Sequence, residues 1–280
     1  MRQLTLSIAL TLLLAASAAG APPTRNDDDR WVTEQPRLYQ IAHDPIALQN
    51  LLDALWKRYP DFHARLRAIA LLRLGTPYVL GCLGEESGRD KNPVFRLDES
   101  DCTVNVLTST AMAHARSLPE ARGWMTRLNY YPGENPVRYE NRVHFTEDRI
   151  RASQWFHDIT PQIATGTPLA SVRLTLNRGS DGTPLLPISW KRATTIRYLR
   201  QSDVSPALLA RLPASIAGVA FVREKLFPKG IAVAHEGFVV DRQWLVHADS
   251  ITKKTVRTQL CDYLRKNADW FDGVMIFSIE

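Results

Sequence analysis

Residues 231–250, IAVAHEGFVVDRQWLVHADS, decide the fold: two runs of β-branched and aromatic residues flank a turn at Asp241, which is the signature of an antiparallel hairpin. Other segments share it. Residues 171–176, 194–199, 218–222 and 274–279 are short, β-branched or aromatic, and bounded by turn residues, so the second half reads as strands. Short helices are expected at 206–212 and 258–266.

The first half has a helical period. Asp44 followed by Pro45 is an N-cap with proline at the first helical position, and Leu48, Leu51, Leu52, Leu55 and Trp56 follow at helical spacing. A second helix is expected from Asp61 to Arg73, stopped by Gly75. Residues 75–101 are rich in Gly, Pro and charge and read as a loop. Ser100 and Asp101 then cap a helix that begins at Cys102 and ends at Pro119, and another is expected over 146–156. Helices first and strands later is an α+β arrangement.

Arg2, the apolar run from Leu4 to Ala16 and the small residues up to Ala21 read as a signal peptide over residues 1–20. The polar residues 21–40 read as a flexible lead-in, and 41–280 as one domain. The apolar run is shorter than the about 18 residues a membrane span needs, and no later segment reaches that length. The mature chain is therefore expected in the periplasm without stable membrane insertion. Its charge, +6 before export, is spread along the sequence; it suits an anionic wall or membrane surface, while export argues against nucleic acid. Nothing in the sequence sets an oligomeric state.

Three cysteines remain after export, Cys82, Cys102 and Cys261. In an oxidising compartment an odd count implies one pair and one free thiol. The expected pair is Cys82–Cys261, with Cys102 free; three inert thiols is the competing reading. Cys102 at a helix start faces unsatisfied backbone N–H groups, which lower a thiol's pKa and can hold an oxyanion. A lone cysteine there is more often structural.

His235 and His247 lie six residues to either side of Asp241. In a symmetric hairpin they are cross-strand neighbours, with Cβ atoms about 4.5–5.5 Å apart. One imidazole then orients the other, the logic of nucleophile, base and orienter; two structural histidines that happen to pair is the plainer alternative. A zinc site with Asp249 is disfavoured because neither HExxH nor paired CxxC occurs, so no metal or cofactor is expected. In YENRVHF, Arg142 and His144 share a face if extended, as a substrate clamp or a solvated strand edge.

LGTPYVLG, DESDCTVNVL, YENRVHF, AHEGFVV and LVHADS, in this order, resemble the N-acetylmuramoyl-L-alanine amidase-like domain family, a branch of the NlpC-type papain-like cysteine peptidases. The resemblance runs from about Leu48 to the end. It implies a papain-like α+β core with the nucleophile on a helix packed against an antiparallel sheet. It also implies Cys102 as nucleophile, His235 as base and His247 as orienter, with Tyr78 bordering the active site; Asp101, next to Cys102, is a further candidate for substrate contact. The implied substrate is peptidoglycan or a muropeptide, cut between N-acetylmuramic acid and L-alanine. Related enzymes cut between D-glutamate and the diamino acid, and a wall-binding module without activity is the reading of another class. Asn105 and the long segment 160–191 depart from the family pattern.

Overall fold

The computed structural model describes residues 25–83, 95–133 and 137–280; the signal peptide expected over 1–20 lies outside them. Helices α1 (Arg25–Glu34), α2 (Pro45–Arg58), α3 (Phe62–Leu72), α4 (Cys102–His114), α5 (Leu118–Asn129) and α6 (Thr146–Ala152) come first. Then follow β1 (Phe156–Asp158), α7 (Thr160–Ile163), β2 (Ala170–Leu176), β3 (Arg192–Arg200), α8 (Pro206–Leu209), β4 (Ile216–Val222), β5 (Val233–Val240), β6 (Trp244–Asp249), β7 (Lys254–Gln259), α9 (Leu260–Lys266) and β8 (Gly273–Ile279). The α+β order matches the segment pattern.

Caps set the helix starts. Asp44, Asp61 and Asp101 each accept backbone N–H groups in the first turn of α2, α3 and α4, satisfying donors that no helical carbonyl reaches. Pro119 does not simply end a helix. Ser117 caps α5 with Pro119 inside its first turn, where a missing N–H costs nothing. The short link of residues 115–117 makes α4 and α5 an antiparallel pair.

The strands pair antiparallel in the order β2-β3-β8-β4-β5-β6-β7, and β1 pairs with β8 beyond β3. Alternating side chains give two buried faces. Ala220, Val222, Phe238, Val240, Met275 and Phe277 pack with the α3–α4 side. Val219, Phe221, Val239, Leu245, Val274 and Ile276 pack with Ile163 of α7, Leu208 of α8 and Leu264 of α9.

Two expectations are corrected. The lead-in expected over 21–40 is helical from Arg25: Val32 and Leu38 are buried, Trp31 sits edge-on to Tyr59, and Arg67 of α3 bonds both Asp29 and the hairpin residue Asp241. A polar composition concealed a helix whose few apolar residues point inward. The Cys82–Cys261 disulfide is absent, and all three thiols are free. Cys82 belongs to the α3–α4 face and Cys261 to the opposite face, so the sheet stands between them.

Candidate active site

Cys102 opens α4 and is half-buried. Asp101 builds the position: its Oδ1 accepts the Val104 N–H at 2.8 Å and its Oδ2 the Gly81 N–H at 3.2 Å. Strands β5 and β6 are laddered only from Phe238↔Val246 to Val240↔Trp244, although β5 stays paired with β4 back to His235 and β6 with β7 out to Asp249. They part where the histidines lie. The Glu236 backbone N–H, with no partner strand on that side, is directed at the Cys102 sulfur, and the Thr103 hydroxyl donates there as well.

The hairpin turn is centred one residue later than the sequence suggests. Asp241 and Arg242 both adopt left-handed backbone angles, φ 56° and 60°, and Val240 pairs with Trp244. His235 and His247 are thus diagonal neighbours, not opposite ones. Their rings still meet, because His235 Nε2 lies 2.8 Å from His247 Nδ1. Gly237 permits this: a Cβ there would fall 2.9 Å from the His247 Cβ and 2.8 Å from the Val246 oxygen. The contact between the two rings occupies His235 Nε2.

Phe221 and Phe271 flank His235, and Tyr263 stands edge-on to His247 with ring centroids 4.7 Å apart. Burial lowers His235 to about 3, reinforced by His247 and opposed by Asp249. Burial likewise lowers His247 to about 4 against Asp249. Both rings are neutral at pH 7. Burial pushes the Cys102 thiol up, and the Asp101 and Glu236 carboxylates add to it. Desolvation and these two acids act against the lowering expected at a helix start. At rest the thiol and both imidazoles are uncharged.

Residues 68–274 match the model of the AmiA-like family, described as N-acetylmuramoyl-L-alanine amidase-like. The chain belongs to this family. Its fold is similar to that of a Legionella pneumophila protein, 19% identical over 83% of this chain and 94% of that one, with a TM-score of 0.63. It is also similar to an N-acetylmuramoyl-L-alanine amidase from Bacteroides uniformis, 21% identical over 77% of this chain and 97% of that one, with a TM-score of 0.62. At these identities the likeness concerns the fold. No curated protein matches the chain.

In this amidase-like chain the remaining residues singled out from the sequence divide. Tyr78 is half-buried and bridges to Ser100, two residues before Cys102; its N–H donates to the Lys253 carbonyl, and the Lys253 ammonium lies 5.7 Å from its ring centre. The structure thus brings Tyr78, Cys102, His235 and His247 to one end of the molecule. Asp101 and Arg142 are buried. Asp101 serves the helix start, and Arg142 Nη2 donates to the Leu83 carbonyl at 3.3 Å. His144 lies on Tyr139 and bonds its carbonyl. Among the described residues no group of three His, Cys, Asp or Glu side chains could hold a metal ion.

The sequence reading passed over Glu236 and Arg149. They form an ion pair with both side chains about 1% exposed, and Thr146 Oγ1 donates to Glu236 at 3.2 Å. The available signal was a carboxylate within an apolar strand, since a buried charge needs a partner.

Proposed function

We propose that the chain is an exported amidase that hydrolyses the bond between N-acetylmuramic acid and L-alanine in peptidoglycan fragments, through Cys102 on a papain-like core. The observation that carries this reading is the linked His235–His247 pair together with a thiol at a helix N-terminus that interacts with the backbone of Glu236, the residue after His235.

Cys102 Sγ bonds to the carbonyl carbon while His235 Nδ1 takes the thiol proton and the C=O π pair moves onto oxygen. The first N–H groups of α4 have no helical acceptor and are suited to that oxyanion. Collapse breaks the C–N bond, and His235 returns the proton to the departing alanine nitrogen, leaving a thioester. Water, deprotonated by His235, then releases the muramic carboxylate and restores the thiol. His247 holds the His235 ring and its tautomer throughout.

Digestion of defined muropeptides followed by mass analysis tests this. Wild type releases an intact stem peptide with a free L-alanine amine, and Cys102→Ala releases none. Cleavage after D-glutamate would replace the amidase with an endopeptidase, and wall binding without cleavage would replace the enzyme with a binding module. Export is tested by sequencing the mature amino terminus from the periplasmic fraction: residues 1–20 are expected to be gone, and retention of the leader overturns it.

A further inference from the structure

Strands β2 and β3 pair along seven residues as a ribbon at one edge of the sheet. Their inward side chains, among them Val172, Leu174, Ile196 and Tyr198, pack on the α3–α4 side. The alternation of a strand then turns Ser171, Arg173, Thr195 and Arg197 outward, where all four are exposed. Arg173 opposes Thr195 and Arg197 opposes Ser171, so the two arginines are diagonal neighbours on one face, at positions about 7–8 Å apart. Neither strand contains an Asp or Glu.

Beside this ribbon the sheet splits. β1 takes the edge of β8 at Phe277 to Ile279, and β3 takes the same edge at Gly273 and Val274. Where they part, a cavity of about 430 Å³ opens over Met275, lined by Arg151, His157, Asp158, Thr195 and Arg197. Arg151 at the end of α6 donates through Nη1 to the Thr194 hydroxyl, which holds a third guanidinium at the rim. None of Arg151, Arg173 and Arg197 forms an ion pair with a described carboxylate. The acids nearby are already engaged: Asp158 Oδ1 accepts the Thr160 N–H at 2.9 Å, and the Glu280 carboxylate lies 3.6 Å from His157 Nε2.

Positive charge that is scattered along the sequence is therefore gathered by the fold into one strip. Guanidinium groups held near one another without counter-charges favour an anion from outside. Their forks match phosphate oxygens, and the Ser171 and Thr195 hydroxyls add donors between them. A row of spaced charges also favours a chain of anionic groups over a single anion, because each contact after the first forms within the same complex.

We propose that this strip is a docking surface for a linear phosphate-bearing polymer, with one phosphate seated in the cavity between Arg151 and Arg197. The inference is independent of the reaction proposed at Cys102.

The test titrates short-chain sodium polyphosphate into the full chain at low ionic strength and follows binding by calorimetry. Saturable binding in the micromolar range is expected, weakened about tenfold by Arg173→Gln or Arg197→Gln, further by the two together, and progressively by sodium chloride. Both arginines are exposed, so the variants should keep their circular dichroism spectrum. Lys266→Gln, on α9 beside β6 and β7 at the other edge of the sheet, should change the affinity by less than about twofold. Absence of saturation, or a loss in Lys266→Gln as large as in the strip variants, overturns the proposal. Poly-L-glutamate binding as tightly as polyphosphate overturns the choice of phosphate, and inorganic phosphate binding as tightly overturns the choice of a polymer.

Discussion

His235 Nε2 and His247 Nδ1 are 2.8 Å apart although the two residues are diagonal, not opposite, across β5 and β6. Diagonal positions in a sheet are separated by more than opposite ones, and only large side chains bridge them. His247→Ala therefore leaves His235 without its orienter. The expected loss in kcat is about 10²–10⁴-fold, with KM little changed and the circular dichroism spectrum retained. Steady-state hydrolysis of a defined muropeptide checks this.

The thiol is raised and both imidazoles are neutral. Alkylation of Cys102 by iodoacetamide should then be slower at pH 7 than that of a free cysteine, and should climb as pH rises past about 8.5. A rate plateau from acid to neutral pH would instead reveal a preformed thiolate–imidazolium pair. Rates measured between pH 5 and 10 separate the two.

Gly237→Ala places a methyl group against the His247 Cβ and the Val246 carbonyl. The backbone carbonyl cannot yield cheaply, so β6 moves outward. The expected destabilisation is about 1–3 kcal/mol, accompanied by a fall in kcat because His247 moves with its strand. Urea unfolding and turnover on the same preparation test both parts.

Glu236 and Arg149 are buried as a pair. Removing one charge strands the other, at a cost of about 3–5 kcal/mol, so Glu236→Gln and Arg149→Met should each lower the urea midpoint strongly. The double variant should lose less than the two single losses combined. Additive losses would show that the pair is not coupled.

Burial lowers His114, His144 and His247 to about 4 and His235 to about 3, while an unfolded histidine titrates near 6.5. Between about pH 6.5 and 4 the unfolded chain binds protons that the folded one refuses. Stability is therefore complete above about 6.5 and is lost as pH falls through that window. Urea midpoints measured at pH 7.5, 5.5 and 4.5 should decline in that order, and His144→Gln should flatten the decline.

The hairpin, the helix starts and the order of elements were legible because turn residues and caps act locally. The hairpin register was not, since it depends on Asp241 and Arg242 both turning left-handed, and the sequence shows only that a turn is present. Strand β7, KTVRTQ, has a single large apolar residue, Val256, too little for a pattern. The place of Cys102 at a helix start could be read, but its ionisation could not. That property depends first on burial and then on Asp101 and Glu236, which act on Cys102 from the loop before α4 and from β5. Cysteine arithmetic failed for a related reason: counting thiols says nothing about which side of a sheet each one occupies.

That separation has a practical side. A secreted protein held by a crosslink unravels in strong reductant and needs oxidative folding machinery to mature. Here Cys82 and Cys261 are kept apart by the sheet's own thickness, so dithiothreitol has no crosslink to break. If Cys102 acts as proposed, a protein of this design can be made in a reducing host and silenced by peroxide with no structural crosslink at stake.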